Sequence, residues 1–518
     1  MNLLSKSEDD ASMQILIMVF GLIEICIGLA GVVVADFLPT FSVLTVLSGT
    51  AGMLAMAFFI SHPANVKIYD ILGMALVFAY GTGTLFSLFS FAGEHYDLLA
   101  SSIMSEYWLT RTLGFATAAS GTLHVVGRFE KGGYLFQKFN LLELQANRSI
   151  WFVGFVTFMA MLFVATGRLG FMGSTNIESG FANVSIMSTL VIALITPTGA
   201  LSIYLARIET QPRRKILFYL FTVLLLVTQF GFGRRIFVFS LIIILMTAIM
   251  AIRPKKFLTF KNIAILVFAF LLVQIATTAF FTLRLARYTF KNQATAPTIL
   301  QLVPNAISLY QDRKKIYLAE QIKENIGSRS FVLEYLSLMS ERSSTMEPLY
   351  GENLARALII ATPSLLYPSK FKNPLFGSEE NLANLHFRLP VWDAANSIFT
   401  ESVIDFGEWG LFIIPGIFCF AYSFFMRLIN YKVPPATSVL VGALICQMMI
   451  SVENEVTIYF SSLPVIMIIL IASWVFFRIK VSVFSPSIGI KSNIHFTGDN
   501  SLKLHSLYKS SVRYMNSK

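Results

Sequence analysis

Met13-Gln-Ile-Leu-Ile-Met-Val-Phe-Gly-Leu-Ile-Glu-Ile-Cys-Ile-Gly-Leu-Ala-Gly-Val-Val-Val34 is a run of 22 residues with only Gln14 and Glu24 strongly polar. A helix rising about 1.5 Å per residue needs about 20 mostly apolar residues to cross some 30 Å of hydrocarbon, so this run suffices for one span. A removable secretory signal would have a basic start and a shorter apolar core. Here Glu8, Asp9 and Asp10 outnumber Lys6, so the run reads as a retained span.

Eleven further stretches approach the same length: Phe37 to Ile60, Tyr69 to Phe91, Ile103 to Val126, Ile150 to Thr166, Val184 to Ala206, Ile216 to Phe232, Ile236 to Ile252, Phe260 to Leu283, Gly410 to Leu428, Ala436 to Ser451 and Tyr459 to Phe477. The fourth span is the least regular, because Glu106 and Arg111 lie inside it. Composition agrees: 55% of the 518 residues are hydrophobic and 13% charged, against about 25% charged in ordinary soluble domains. The sequence therefore predicts an all-α polytopic membrane protein of about twelve helices. It divides into spans one to nine (1–283), a large loop (284–409), spans ten to twelve (410–478) and a basic tail (479–518).

The net charge of +11 invites a nucleic-acid reading, which needs a basic patch on a soluble surface. With the N-terminus inside, the short inside loops, counted with Lys261 and Arg427 at the adjoining span ends, hold 15 Lys and Arg, and the short outside loops hold only Arg168, Arg234 and Arg235. That asymmetry is the positive-inside rule, and it sets both termini in the cytoplasm. The excess charge is largely a topology signal, and no nucleic-acid partner is expected. Cys26, Cys419 and Cys446 fall within spans without a CxxC or Cys/His cluster, and no Walker A, GxGxxG or HExxH pattern occurs. Neither a metal nor a cofactor is expected.

The loop between spans nine and ten, Arg284 to Trp409, is too long to be a simple connection. Ile316 to Ile326, Arg329 to Met339 and Asn353 to Ala361 read as short amphipathic helices, and Pro363 and Pro368 punctuate the chain beyond the third of them. The loop should fold back over the outer membrane surface. Two groups of polar residues stand out on that side. Arg234 and Arg235 begin span eight, Arg284 and Arg287 end span nine on one helical face, Arg168 ends span five, and Arg111 lies inside span four. Such arginines either reach lipid headgroups and pair with Glu94, Asp97, Glu453 or Glu455, or bind an anionic ligand, for which the planar guanidinium suits phosphate. The second group runs from His386 to Glu408 and contains Arg388, Trp392, Asp393, Asn396, Glu401 and Asp405. Helical spacing from Ser397 sets Glu401 and Asp405 on one face. Close carboxylates raise one another's pKa as a general base needs, whereas acids in a first helical turn also simply favour the dipole. Glu24 in span one reads as paired with a polar neighbour rather than as a proton carrier.

Three segments resemble a known family. They are Gly233-Arg-Arg-Ile-Phe-Val-Phe-Ser240, Pro363-Ser-Leu-Leu-Tyr-Pro-Ser-Lys370, and Ala395-Asn-Ser-Ile-Phe-Thr-Glu-Ser-Val-Ile-Asp-Phe-Gly-Glu-Trp-Gly410. In order and sidedness they resemble the Wzy-type O-antigen and exopolysaccharide repeat-unit polymerases and, more distantly, the O-antigen ligases. The resemblance covers about Gly231 to Leu428. It implies a GT-C-like membrane glycosyltransferase of the bacterial inner membrane, inverting and metal-independent, with its active face in the periplasm. The implied substrate is undecaprenyl-pyrophosphate-linked oligosaccharide, with a flippase and a chain-length regulator as partners. In that reading Arg234, Arg235, Arg284 and Arg287 hold the pyrophosphate, joined by Arg329, Arg388 and Asn396. Asp393, Glu401 or His386 takes the acceptor proton, and Trp392, Tyr367 and Tyr350 offer stacking faces. Ligases of this type carry His before the matching Asn, where this chain has Ala395, which favours the polymerase. The competitor from another class is a lipid-linked oligosaccharide flippase or other transporter, and a sensor or scaffold would not need the outer arginines.

Overall fold

The computed structural model describes residues 2–38, 40–85, 105–130, 132–136, 146–165, 186–230, 234–252, 330–362, 366–370, 385–388, 397–451 and 454–478, with a few helical positions between 275 and 308. Its helices are α1 (Asn2–Ala35), α2 (Phe41–Ser61), α3 (Ile68–Val77), α4 (Glu106–Phe129), α5 (Ala146–Ala165), α6 (Ile186–Ile208), α7 (Pro212–Phe230) and α8 (Arg234–Ile252). Further along the chain come α9 (Ser330–Thr345), α10 (Glu352–Ala361), α11 (Ile398–Phe406), α12 (Gly410–Lys432), α13 (Pro435–Ile450) and α14 (Val456–Arg478). A π-helical turn, Phe78–Thr82, extends α3, and a 3-10 turn, Gly407–Trp409, joins α11 to α12. Among the described residues there is no strand, only an isolated bridge between Lys67 and Tyr134. The span expected over Phe260 to Leu283, the helix expected over Ile316 to Ile326 and the basic tail lie almost wholly outside the described residues.

The protein is a helical membrane protein. Among the described residues, six helical stretches are long and apolar enough to cross a bilayer: Ser12–Ala35, Phe41–Ser61, Ile68–Leu85, Leu190–Ile208, Ile398–Ile429 and Val456–Phe477. Three shorter apolar helices accompany them, Arg148–Val164, Ile236–Ala251 and Pro435–Ile450. Large apolar side chains stay exposed along α1, α5, α7, α12 and α14, where lipid is the natural solvent. The irregular fourth stretch forms the continuous helix α4, and its position explains its composition. Its small and hydroxylated residues, among them Gly114, Ala118, Ser120 and Gly121, are buried against neighbouring helices, so lipid does not require them to be apolar.

The tightest seam joins α1 to α4. Gly21 faces Gly121 and Gly28 faces Gly114, so the two helices run antiparallel with their backbones in contact. A Cβ on Gly121 would stand 2.3 Å from the Gly21 carbonyl oxygen, and one on Gly28 would stand 2.5 Å from that of Gly114. Both glycine pairs repeat at seven residues, which keeps them on one helical face over two turns.

Side-chain contacts sort the helix ends into two groups. Arg128 at the end of α4 reaches Gln14 of α1 and the Asn65 carbonyl, and Lys67 donates to the carbonyls of Gly127 and Glu130 at 2.7 and 2.6 Å. Arg148 of α5 donates to the Phe477 carbonyl at the end of α14. At the opposite end the Phe41 amide donates to Glu106, and the starts of α4, α11 and α14 meet α9 and α10. Two of the three amphipathic helices expected in the large loop are therefore present, as α9 and α10, seated as a cap over one end of the bundle.

Candidate functional site

The capped end is organised by α11. Ser397 is its N-cap, accepting the Thr400 amide at 3.1 Å while the Thr400 hydroxyl oxygen accepts the Ser397 amide at 2.8 Å. The Ser397 hydroxyl also lies 3.1 Å from the Tyr80 hydroxyl in the π turn of α3, and the Tyr80 ring meets Phe399 edge-on. Single π turns inside helices recur at functional sites. Gly407 ends α11 at φ 61° and ψ −158°, a conformation close to glycine-only. At Gly410 an added Cβ would stand 1.8 Å from the Ser402 carbonyl oxygen. The segment Asp405-Phe-Gly-Glu-Trp-Gly410 thus has a backbone reason for both of its glycines.

Its acids are engaged. Glu401 is 1% exposed, and its carboxylate accepts the amide of Val456, the first residue of α14, at 3.0 Å. The Asp405 carboxylate accepts the amides of Asn353 and Leu354 in the first turn of α10, at 3.0 and 2.9 Å. Both carboxylates therefore neutralise orphan donors at the positive ends of helices other than their own. Glu408 pairs with Arg111 of α4. Nε lies 3.0 Å from both carboxylate oxygens, Nη2 lies 2.9 Å from Oε2, and the guanidinium stands over the rings of Phe115, Tyr107 and Trp108. Arg111 thus takes a partner from the second polar group.

The other expected site residues are more scattered. Arg234 and Arg235 are the first two residues of α8. His386 presents Nε2 2.9 Å from the Glu347 carbonyl, beside the cap, and Arg388 is exposed with φ 51°. In the PSLLYPSK segment, Lys370 donates to the carbonyls of Ile360 and Thr362 at 2.8 and 2.7 Å and closes the end of α10. Tyr350 is 72% exposed on the cap. Arg284, Arg287, Arg329, Trp392, Asp393 and Asn396 lie outside the described residues.

A second polar constellation, which helical periodicity alone does not pair, lies in the interior of the bundle. Glu24 of α1, Asp70 of α3 and His124 of α4 are each 0% exposed. His124 Nδ1 is 3.2 Å from Asp70 Oδ1, its Nε2 is 3.6 Å from Glu24 Oε2, and Asp70 Oδ2 pairs with Arg128. Ser120 donates from Oγ toward Glu24 Oε2 at 2.9 Å, and it is a polar neighbour of the kind expected for Glu24. The available signal was an acid in one apolar stretch and a histidine in another, which does not say that they meet. Among the described residues no group of three or more His, Cys, Asp or Glu is disposed to hold a metal ion.

Comparison with known proteins places the chain in no family: no family model, curated relative or solved structure matches it.

Proposed function

We propose that the protein joins undecaprenyl-pyrophosphate-linked oligosaccharide repeat units into O-antigen or exopolysaccharide at the periplasmic face of the bacterial inner membrane. It would act as a metal-independent, inverting glycosyltransferase with a GT-C-like, twelve-span architecture and both termini in the cytoplasm. The observation that carries this reading is the turn Asp405-Phe-Gly-Glu-Trp-Gly410. It ends the third of the three segments whose order and sidedness carry the resemblance to Wzy-type polymerases, and its Asp405 and both glycines have defined roles where the cap meets a span. The paired arginines opening α8 add to it, since guanidinium groups beside a helix N-terminus favour an anionic phosphate.

Arg234, Arg235, Arg284 and Arg287 hold the donor pyrophosphate and neutralise charge as it leaves, with Arg329, Arg388 and Asn396 completing the substrate contacts. The base is Asp393, with His386 next. Glu401 ranks below them because its carboxylate already serves the first amide of α14. A flippase delivers the substrate, and a chain-length regulator acts on the product. Replacing Arg234, Arg284 and Asp393 singly should abolish the long-chain polysaccharide ladder on gels at normal protein level. Normal ladders in all three variants would overturn these roles.

A flippase is the second reading, favoured by the buried acids and histidine between α1, α3 and α4, since charges inside a span commonly serve transport. In a deletion strain, single lipid-linked repeat units should accumulate on the outer leaflet if the protein polymerises them, and on the inner leaflet if it moves them.

A further inference from the structure

The charges between α1, α3 and α4 nearly cancel in pairs. Asp70 is paired with Arg128, and Lys67 lies on the carbonyls of Gly127 and Glu130. Glu24 and His124, both fully buried, are left to balance each other. Carboxylate with imidazolium is neutral, and so is carboxylic acid with imidazole. Any other state leaves a unit charge away from water, which is costly. The pair therefore carries one proton.

The geometry gives that proton two seats. His124 Nδ1 is held by Asp70 Oδ1, so Nε2 is the ring atom free to gain or lose a proton, and it faces Glu24 Oε2 at 3.6 Å. Nε2 and Glu24 Oε1 are fully buried polar atoms without a hydrogen-bond partner. Ser120 has one hydroxyl hydrogen and two acceptors, Glu24 Oε2 at 2.9 Å and the Gly73 carbonyl at 2.8 Å. Donation to Glu24 suits the carboxylate. Donation to Gly73 leaves the hydroxyl lone pair to accept from a protonated Glu24. Among the described residues, the surroundings supply no competing partner for Glu24. From α1, Gln14 serves Arg128; from α2, Phe59 stacks on the imidazole at 5.2 Å; from α3, Lys67 and Tyr69 lie toward Glu130; from α12, Ser423 donates to Glu130 and Cys419 lies near Asp70 and Glu130. His62 at the end of α2 is engaged with Ser61 and the Phe58 carbonyl.

We propose that Glu24 and His124 form an intramembrane proton-binding site, with Ser120 as the hydroxyl that turns when the proton moves. In the transfer the Nε2–H bond of the imidazolium breaks and an O–H bond forms on Glu24 Oε2, leaving both groups neutral. The site needs no substrate and does not depend on the polymerase reading.

The test is infrared difference spectroscopy of the purified full-length protein, wild type against variant at one pH near neutrality, in the stretching region of protonated carboxyl groups. The wild type should show a buried carboxyl band whose intensity stays constant with pH while the protein is folded, because the pair keeps its single proton. Glu24→Gln should remove it, and His124→Asn should strengthen it, since the proton then has only the Glu24 seat. Ser120→Ala should move the band to higher frequency, since the carboxyl then lacks a hydroxyl acceptor; this milder change decides the matter if Glu24→Gln fails to fold. A wild-type protein without such a band, the same band in Glu24→Gln, an unchanged band in His124→Asn, or an unmoved band in Ser120→Ala would overturn the proposal. Because no sugar substrate is present, failure here is distinct from failure of the polysaccharide assay.

Discussion

Arg111 and Glu408 are 297 residues apart in sequence and share three close N–O contacts, with side chains 26% and 12% exposed. An exposed pair contributes about 0.2–1 kcal/mol, whereas breaking a fully buried one costs about 3–5 kcal/mol. This half-sheltered, bidentate pair should fall between. A double-mutant cycle of Arg111→Ala and Glu408→Ala, read by thermal unfolding in detergent, should give coupling above the exposed range. Coupling near zero would mean that the cap does not depend on the pair. Lys67 provides a pH test. Burial first, and then the nearby Arg128 cation, push its amine down to about 8 from the ordinary 10.5, against the opposite pull of Asp70 and Glu130. The folded protein releases this proton before the unfolded chain does. Between about pH 8 and 10.5 the unfolded state binds more protons, and the contribution of Lys67 to stability rises with pH. Replacement by Met should flatten that rise, measured as the pH dependence of the melting temperature. An unchanged slope would show that the amine keeps its ordinary affinity for protons.

At the scale of elements, the α1–α4 seam and the turn after α11 make sharp demands on single positions. Gly121→Ala sets a Cβ against backbone oxygen, where neither partner can swing aside, and should destabilise by about 1–3 kcal/mol, as overpacking does. Gly416→Ala in α12 is the control. Nothing lies within 4 Å of its added Cβ, and the helix gains about 1 kcal/mol of intrinsic propensity. Gly407→Ala must adopt a strained backbone and should cost about 1–3 kcal/mol. A Gly416→Ala protein that melts no higher than the other two would refute the packing argument. The elements themselves were legible in the sequence: α2, α4, α6 and α13 begin and end within a few residues of the stretches that hydropathy outlines. Their pairing was not. A run of apolar residues states that a helix is buried in something, and lipid and protein give nearly the same signal. The heptad-spaced glycines of α1 and α4 take on their meaning only when the two helices are seen in contact.

Across the whole molecule, two kinds of end are expected, basic and capped. Asn65, beside Lys67 and Arg128, should be cytoplasmic, and Tyr350, on the cap, periplasmic. With Cys26, Cys419 and Cys446 replaced by Ser, a cysteine at Tyr350 should react with a membrane-impermeant maleimide added to intact cells, and one at Asn65 only after lysis. The reverse pattern would invert the molecule. The site was legible only in part, for a reason of scale. Charges near helix ends announce an end group, as Glu401 and Glu408 did, but not which helix supplies the partner. Glu401 and Asp405 sit four residues apart on one helix, the spacing of a carboxylate pair. Folding sends them to different helices, as the caps of α14 and α10. That divergence has a mechanical consequence. A nine-residue helix holds the first turn of a membrane span with one acid and the first turn of the cap with the other. Pulling on residues just before Ser397 therefore loads both at once. In native-state hydrogen exchange, the first-turn amides of α10 and α14 should open together as one cooperative unit, with α11 as their common hinge.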